Sequence, residues 1–580
     1  MDSKAKTAIM LRPISKEWRD TFPDVHPVLA RVYSRRNVAS VDELEYGLDR
    51  LPPFQKMKGI GDAIDILVEA IENQQCILIV GDFDCDGATS TTVAVRGLRL
   101  MGAENVSFLV PNRFEYGYGL TPEIVEVAAQ QSPDIIVTVD NGIASIEGVA
   151  AAKAKGIKVV VTDHHLPGET LPDADAIVNP SQPGCEFPTK AMAGVGVIFY
   201  IMMALRCALR DSGFFRQRGL LQPNLAQLLD LVALGTVADV VPLDQTNRVF
   251  VSQGLARIRR GQCCAGIDAL LKVGCRQRER IVASDLGFVV GPRLNAAGRL
   301  EDMSIGIDCL LTESPQEALD IATTLDELNR ERRSIERDMQ DQAMLALGEL
   351  QFDDEQKLPT GLCLYQSDWH QGVIGILASR IKDLFHRPVI AFADADEQNL
   401  KGSARSVQGF HIRDGLDAIA TRHPELIQKF GGHAMAAGLS IKKEHLEEFS
   451  HAFDKEVEHH LNQDDLRGRV WTDGELESSD FSLDVAEVLR KGGPWGQAFP
   501  EPVFEGRFEL IDRRIVGERH LKMQLKPIGG EFPINAIAFN SDDHHWPAHV
   551  SEVQLAYKLD VNEFRGSRDV QLLVDLIEPL

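Results

Sequence analysis

Residues 77–92 read ILIVGDFDCDGATSTT. Four apolar residues run into Asp82, Asp84 and Asp86, placed at every second position, and then a glycine. An apolar, β-branched run closed by turn chemistry reads as a buried strand, and the small residues after it open a helix. Three like charges in one turn cost stability unless a cation or hydrogen-bond donors offset the repulsion. The stretch therefore reads as a strand end that carries a site.

The alternation continues outward from this stretch. CILIVG (76–81), VSFLV (106–110), DIIVTV (134–139) and IKVVVT (157–162) have strand character, and ATSTTVAVRGLRLMG, TPEIVEVAAQQ and ASIEGVAAAKAKG between them have helical character. Fully apolar strands alternating with helices imply a parallel sheet covered on both faces, an α/β domain. Residues 190–310 read mainly as helix with loops, and 314–350 as one long charged, Gly-poor connecting helix. A second, smaller α/β unit comes next, with LCLY and PVIAFA as strands, QGVIGILASRIKDLF as a helix, and GSARS and FGGHAMAAG as loops. After a polar linker around 459–465, the segments RFELIDRRIV, HLKMQLKP, INAIAF and VQLLVDLIE suggest a small β-barrel. The expected organisation is an N-terminal segment (1–50), a catalytic α/β domain (51–312), a connecting helix (313–352), a second α/β domain (353–462) and a C-terminal barrel (463–580).

The bulk numbers set bounds on function. A chain of 580 residues is too long for one core. The formal net charge of −25 means that any polyanion is bound by a local basic groove or through metal ions. Nine cysteines without CxxC spacing read as reduced thiols, neither a disulfide framework nor a zinc finger. The start, MDSKAKTAIMLRPI, shows no apolar signal region, and the longest uncharged run (191–205) is shorter than the roughly 20 residues of a membrane span. A cytoplasmic protein without membrane attachment is expected.

Three chemistries compete for the aspartate turn. An EF-hand loop requires glutamate at its twelfth position, where Val93 stands, and a helix rather than a strand before it. A haloacid-dehalogenase-type phosphatase would use Asp84 as nucleophile and Asp86 as acid/base, and assigns histidine no particular place. A metal cluster uses several strand ends at once. The carboxyl ends of parallel strands share one edge, where ligand sites gather. That edge collects Asp82, Asp84 and Asp86, then Asp140 from DIIVTVDNG, then Asp163, His164 and His165 from KVVVTDHH. Carboxylates and imidazoles without thiolates suit Mn²⁺ or Mg²⁺. Consecutive residues diverge, so Asp163, His164 and His165 cannot all face one ion. His164 is the expected ligand, His165 the group beside the scissile phosphate, and Asp163 a helix N-cap. Asp239, in GTVADVVPL, reads equally as cap or ligand.

Assembled, these residues resemble the DHH phosphoesterase superfamily, named for the Asp163-His164-His165 triplet, and within it the RecJ-type single-strand-specific 5′→3′ exonucleases of bacteria. GDFDCDGATS, PNRFEYGYGL, TVDNG, TDHHLPG, ADVVPL, GPRLNAAGRL, WHQGVIGI, GSARS and FGGHAMAAG carry the resemblance, in the family's order. It implies a DHH domain, a DHHA1-like second domain and an OB-fold tail. It further implies two ions held by Asp82, Asp84, Asp86, Asp140, His164 and Asp239, with His165 close by in the catalytic set. Arg113, Asn295, Arg299, Ser403, Arg405 and His433 would hold substrate phosphate. Read alone, each of Arg113, Arg293, Arg299 and Arg405 is more simply an ion pair. In the tail, Arg513, Arg514, Arg519, His520 and Lys522 supply a basic strand-binding face, with Phe508, Trp495 and Phe499 available to stack bases.

The resulting expectation is an Mn²⁺- or Mg²⁺-dependent exonuclease that degrades single-stranded DNA to mononucleotides from the 5′ end, in recombination and repair. Family partners would be single-strand-binding protein and a RecQ-type helicase, since no GxxxxGK[ST] loop supplies ATP-driven unwinding. A monomer is expected. A phosphoesterase acting on very short oligonucleotides, or a non-catalytic DNA-binding scaffold, are the alternatives.

Overall fold

The computed structural model describes residues 7–14, 18–112, 119–349, 358–462, 465–517, 520–539, 541, 550–564 and 567–580. The chain divides into two units, one of Met1–Leu11 with Arg330–Thr472 and one of Arg12–Asn329 with Asp473–Leu580.

In the larger unit, the apolar runs form a five-stranded sheet: β1 (Ile77–Gly81), β2 (Val106–Leu109), β3 (Ile135–Val139), β4 (Lys158–Thr162) and β5 (Ala176–Val178). Every pairing is parallel, in the order β2-β1-β3-β4-β5. β1 and β3 are buried along their whole length, which is why their sequences show no polar alternation. β5, three residues long in ADAIVNP, is too short to announce itself by pattern. In this order the chain winds outward in opposite directions from β1 and β3, and the crevice between their carboxyl ends is where such sheets take ligands.

Helix α1 (Cys85–Leu100) leaves β1 and packs against α2 (Gly194–Asp211) and α3 (Leu229–Ala238). Within its buried Thr-Ser-Thr-Thr run, Thr89 Oγ1 donates to the Cys85 carbonyl (2.9 Å) and Thr92 Oγ1 to that of Ala88 (2.8 Å). Helix α4 (Gly291–Leu300) comes after a five-residue π-helical turn, Leu286–Val290.

The tail of this unit is a closed barrel of β11 (Phe504–Val516), β12 (His520–Pro527), β13 (Ile534–Ala538), β14 (Glu552–Phe564) and β15 (Ser567–Pro579), in the order β11-β12-β13-β15-β14. β14 is a full strand that the turn pattern did not reveal. The barrel interior, the helices around the sheet and the N-terminal helices share one hydrophobic core.

The smaller unit holds a mixed sheet of β6 (Leu362–Tyr365), β7 (Val389–Asp394), β8 (Asn399–Arg405), β9 (Lys429–Gly432) and β10 (Ala436–Lys442), in the order β9-β10-β8-β7-β6, with α6 (Ile374–Phe385) against it. Here the sequence reading needs correction. Most of GSARS and most of FGGHAMAAG are not loops: they lie in β8, β9 and β10. Glycine disfavours strands in isolation, but here close packing selects it. A Cβ on Gly402 would stand 2.5 Å from the Phe392 ring, so the small residue lets β8 seat between β7 and β10. Helix α5 (Pro315–Glu349) is a single 35-residue helix, about 50 Å long.

Candidate active site

The residues collected at the carboxyl edge of the first sheet do converge. Asp84 is the N-cap of α1, its Oδ1 accepting from the Asp86 and Gly87 N–H groups at 2.8 and 3.0 Å. This bend sets Asp82 and Asp84 on the crevice side of the turn. Asp140, at the end of β3, stands in the left-handed region at φ 61°, and its N–H donates to the Thr162 carbonyl at the end of β4. A non-glycine residue held there costs roughly 1–3 kcal/mol and persists where the surroundings fix it. Asn141 supplies the fixing: its Nδ2 donates to the carbonyls of Val80 (3.0 Å) and Val139 (2.9 Å), tying the ends of β1 and β3 together. Asp239 closes α3 and is followed by Val240, also left-handed at φ 61°.

These turns bring two sets of ligand atoms side by side. Asp82, Asp84 and Asp140 each offer an atom within 4.8 Å of the others, and so do Asp86, His164 and Asp239. The sets meet at His164, whose Nε2 lies 3.1 Å from Asp140 Oδ1 and 3.5 Å from Asp239 Oδ2. Asp86 is held from behind, with Oδ2 accepting from Gly194 N–H (2.6 Å) and Oδ1 from Val195 N–H (3.0 Å) at the start of α2.

Burial, and after it the neighbouring carboxylates, push Asp140 and Asp239 well above the ordinary carboxylate range, and Asp86 to about 7. Cys85, buried in the same turn, is held as a thiol by burial and by Asp84 and Asp86. Five crowded carboxylates and an imidazole, without a thiolate, are the donor set of a hard divalent cation, so these residues fit Mn²⁺ or Mg²⁺.

Asp163 is not a helix cap, because no helix starts after it. It is a buried bracket: Oδ2 accepts from Ile143 N–H (2.9 Å), and Oδ1 accepts from the N–H groups of His164 and His165 and lies 2.7 Å from His165 Nδ1. Burial works against both charges of this pair, yet their hydrogen bond prevails. Asp163 stays below its ordinary value and His165 rises to about 9. His165 is therefore held in one orientation beside the carboxylate cluster. No sequence signal distinguishes this role from a cap.

Comparison with known proteins agrees with this geometry. The model of the DHH family, N-terminal domain, matches residues 76–236, that of the DHHA1 domain 359–459 and that of the RecJ OB domain 472–575. The single-stranded-DNA-specific exonuclease RecJ of Salmonella typhimurium is 55% identical over 558 residues, covering 96% of both chains. The chain belongs to the RecJ family of single-stranded-DNA-specific exonucleases. Two crystal structures of RecJ from Thermus thermophilus are similar over the whole of this chain: the complex with Mn²⁺ (TM-score 0.80, 28% identity, 80% of that chain) and the complex with Mg²⁺ (TM-score 0.76, 26% identity, 79% of that chain).

The remaining residues that the RecJ resemblance singled out divide into several cases. Arg113 and Arg519 lie outside the described residues. Asn295 Oδ1 accepts the Cys85 N–H (2.7 Å), so this side chain braces the aspartate turn from α4, where Arg299 lies half-buried. Arg293 is a structural ion pair with Asp326 at 2.8 Å. In the smaller unit Ser403 and Arg405 share one face of β8, with Arg405 Nη1 donating to Ser403 Oγ (3.1 Å), and His433 is exposed in the turn between β9 and β10.

On the barrel, Arg514 pairs across from Lys522, and His520 lies on the same outward side of β12, whereas Arg513 pairs across from the buried Met523 and is half-buried. The expected stacking aromatics are core residues. Phe508, Trp495 and Phe499 are buried, Phe508 edge-on to Tyr557 and Trp495 stacked on Phe499. The exposed ring beside the basic row is Phe539, 57% exposed and edge-on to His520 at 5.1 Å, a position sequence reasoning missed.

Among the described residues, no helix is long and apolar enough to cross a membrane.

Proposed function

We propose that this chain hydrolyses single-stranded DNA to mononucleotides in the 5′→3′ direction, with two divalent ions, Mn²⁺ or Mg²⁺. The observation that carries the reading is the pair of adjoining ligand sets, Asp82–Asp84–Asp140 and Asp86–His164–Asp239, meeting at the Asp140–His164 contact. When bound there, such ions lower the pKa of a water and stabilise charge on the attacking and leaving oxygens of a phosphodiester. The chain's own residues do the rest. Asp163 holds His165 in one orientation, with its ring available to a phosphate oxygen that gains charge as the bond breaks. Ser403 and Arg405 receive a terminal phosphate, and Arg113, Asn295, Arg299 and His433 are further contacts to substrate phosphate. Arg514, His520, Lys522 and Phe539 hold the incoming strand, with Arg513 and Arg519 as further cations for it.

The domain limits we assign are 51–312 for the DHH domain, 313–352 for the connecting helix, 353–462 for the DHHA1-like domain and 463–580 for the OB domain, after an N-terminal segment 1–50. A cytoplasmic monomer working with single-strand-binding protein and a RecQ-type helicase completes the proposal.

The test uses one strand labelled at its 5′ end, the same strand labelled at its 3′ end, and a blunt duplex, each with Mn²⁺, beside Asp140→Ala. Immediate release of 5′-labelled mononucleotide, with duplex intact and the variant inactive, is the expected result. Tight binding without cleavage would replace this reading with a scaffold. Neither binding nor cleavage would point to a small-substrate phosphoesterase.

A further inference from the structure

Ser403 and Arg405 lie over the first turn of α6, and the residue beneath them is Gly375. A Cβ built on Gly375 would stand 2.9 Å from Arg405 Nη2, 2.9 Å from Ser403 Oγ and 3.6 Å from Arg405 Cζ. No real Cβ tolerates the two closer distances, so both polar groups would have to move. The guanidinium is otherwise well fixed. Nη1 donates to Ser403 Oγ (3.1 Å) and to the Ala404 carbonyl (2.8 Å), which sets the plane of the fork. Gly375 is helical with an ordinary φ, so nothing in the backbone asks for glycine there. In a helix interior glycine is in fact among the poorest residues. The absence of a side chain has to be explained by what sits on it.

We infer that Gly375 is a positioning residue for terminal-phosphate recognition: its missing side chain lets the Ser403 hydroxyl and the Arg405 fork sit together as one anion cradle. The inference rests on the reading that these two side chains receive the terminal phosphate. Its physics is separable from fold stability. The atoms that a new methyl would displace are a serine hydroxyl and the far end of a flexible arginine, and both move by rotation about side-chain bonds without disturbing β8. Alanine at Gly375 therefore preserves the sheet and favours the helix, while it tilts the fork and breaks the Ser403–Arg405 hydrogen bond. A bidentate contact to phosphate depends on that tilt.

The experiment compares steady-state degradation of one single strand carrying either a 5′-phosphate or a 5′-hydroxyl, by the full-length wild type, Gly375→Ala and Arg405→Ala in Mn²⁺. For Gly375→Ala the KM on the phosphorylated strand rises about tenfold or more, the worth of one charge-assisted hydrogen bond, while kcat changes far less. The ratio of the two KM values falls toward one, and the melting temperature is equal to or above that of wild type. If Arg405→Ala discriminates between the two ends as strongly as wild type, or wild type does not discriminate at all, the terminal-phosphate reading itself fails. If Arg405→Ala loses discrimination and Gly375→Ala keeps it, the role of Gly375 alone is overturned. A Gly375→Ala variant that melts lower and loses activity equally on both ends also overturns it, because a merely structural glycine behaves that way.

Discussion

Asp140→Asn should invert the stability order of the protein between metal-free and metal-loaded conditions. Asp140 is 2% exposed, and burial followed by the charges of Asp86, Asp84, Asp82 and Asp239 raises its carboxyl well above the ordinary value. A carboxyl whose folded pKa is raised favours folding at low pH and opposes it once the pH exceeds its unfolded value near 4. At pH 7 that opposition is at most about 4 kcal/mol, since each pKa unit between the unfolded value and the pH counts about 1.4 kcal/mol. Asparagine has the same shape and no such penalty, so in EDTA the variant is the more stable, by no more than that bound. For a unit of roughly 400 residues this is at most about 4 °C in Tm, which makes urea unfolding the sharper assay. In Mn²⁺ at a hundredfold excess over its Kd, wild type gains about 3 kcal/mol by mass action, and the variant, lacking a shared ligand, gains much less. The gap in EDTA also closes as the pH falls toward 4. A variant less stable than wild type in EDTA, or one stabilised by Mn²⁺ to the same degree as wild type, would refute the reasoning.

Further substitutions test the other parts of the machinery. Phe539→Ala should weaken binding of a short oligothymidylate by about 1–3 kcal/mol, read by fluorescence anisotropy, with Tm unchanged. Phe508→Ala should do the reverse, lowering stability by about 3–5 kcal/mol, because its ring fills the barrel core. Equal effects of the two on binding would discard the surface assigned to the barrel. Asp163→Asn removes the carboxylate that orients His165, so kcat should fall about 10–100-fold while the affinity for oligonucleotide holds. Unchanged kcat would show that His165 is positioned without it.

The residues legible in the sequence were those whose placement comes from local periodicity. ILIVG, IIVTV and KVVVT are buried on both faces, so their composition announces a parallel sheet. The geometry of any such sheet delivers the residues just past each strand, Asp82–Asp86, Asp140 and Asp163–His165, to one edge. That these residues gather at one edge was thus readable before any distance was known. The role of each oxygen there was not readable, because it depends on donors far away in sequence. Gly194 and Val195 hold Asp86 across 108 and 109 residues, and Asn295 braces Cys85 across 210. The same limit separates Phe508 from Phe539. Both are aromatic residues in alternating segments, and only closure of the barrel decides which ring is sealed inside and which is left beside His520 in water. The sequence by itself determined the sheet, its chemistry-bearing edge and the family. The tertiary structure alone decided the left-handed turn at Asp140, the bracket at Asp163, the strands hidden in GSARS and FGGHAMAAG, and the space above Gly375. Each of these is set by close packing between segments remote along the chain, which local pattern does not encode.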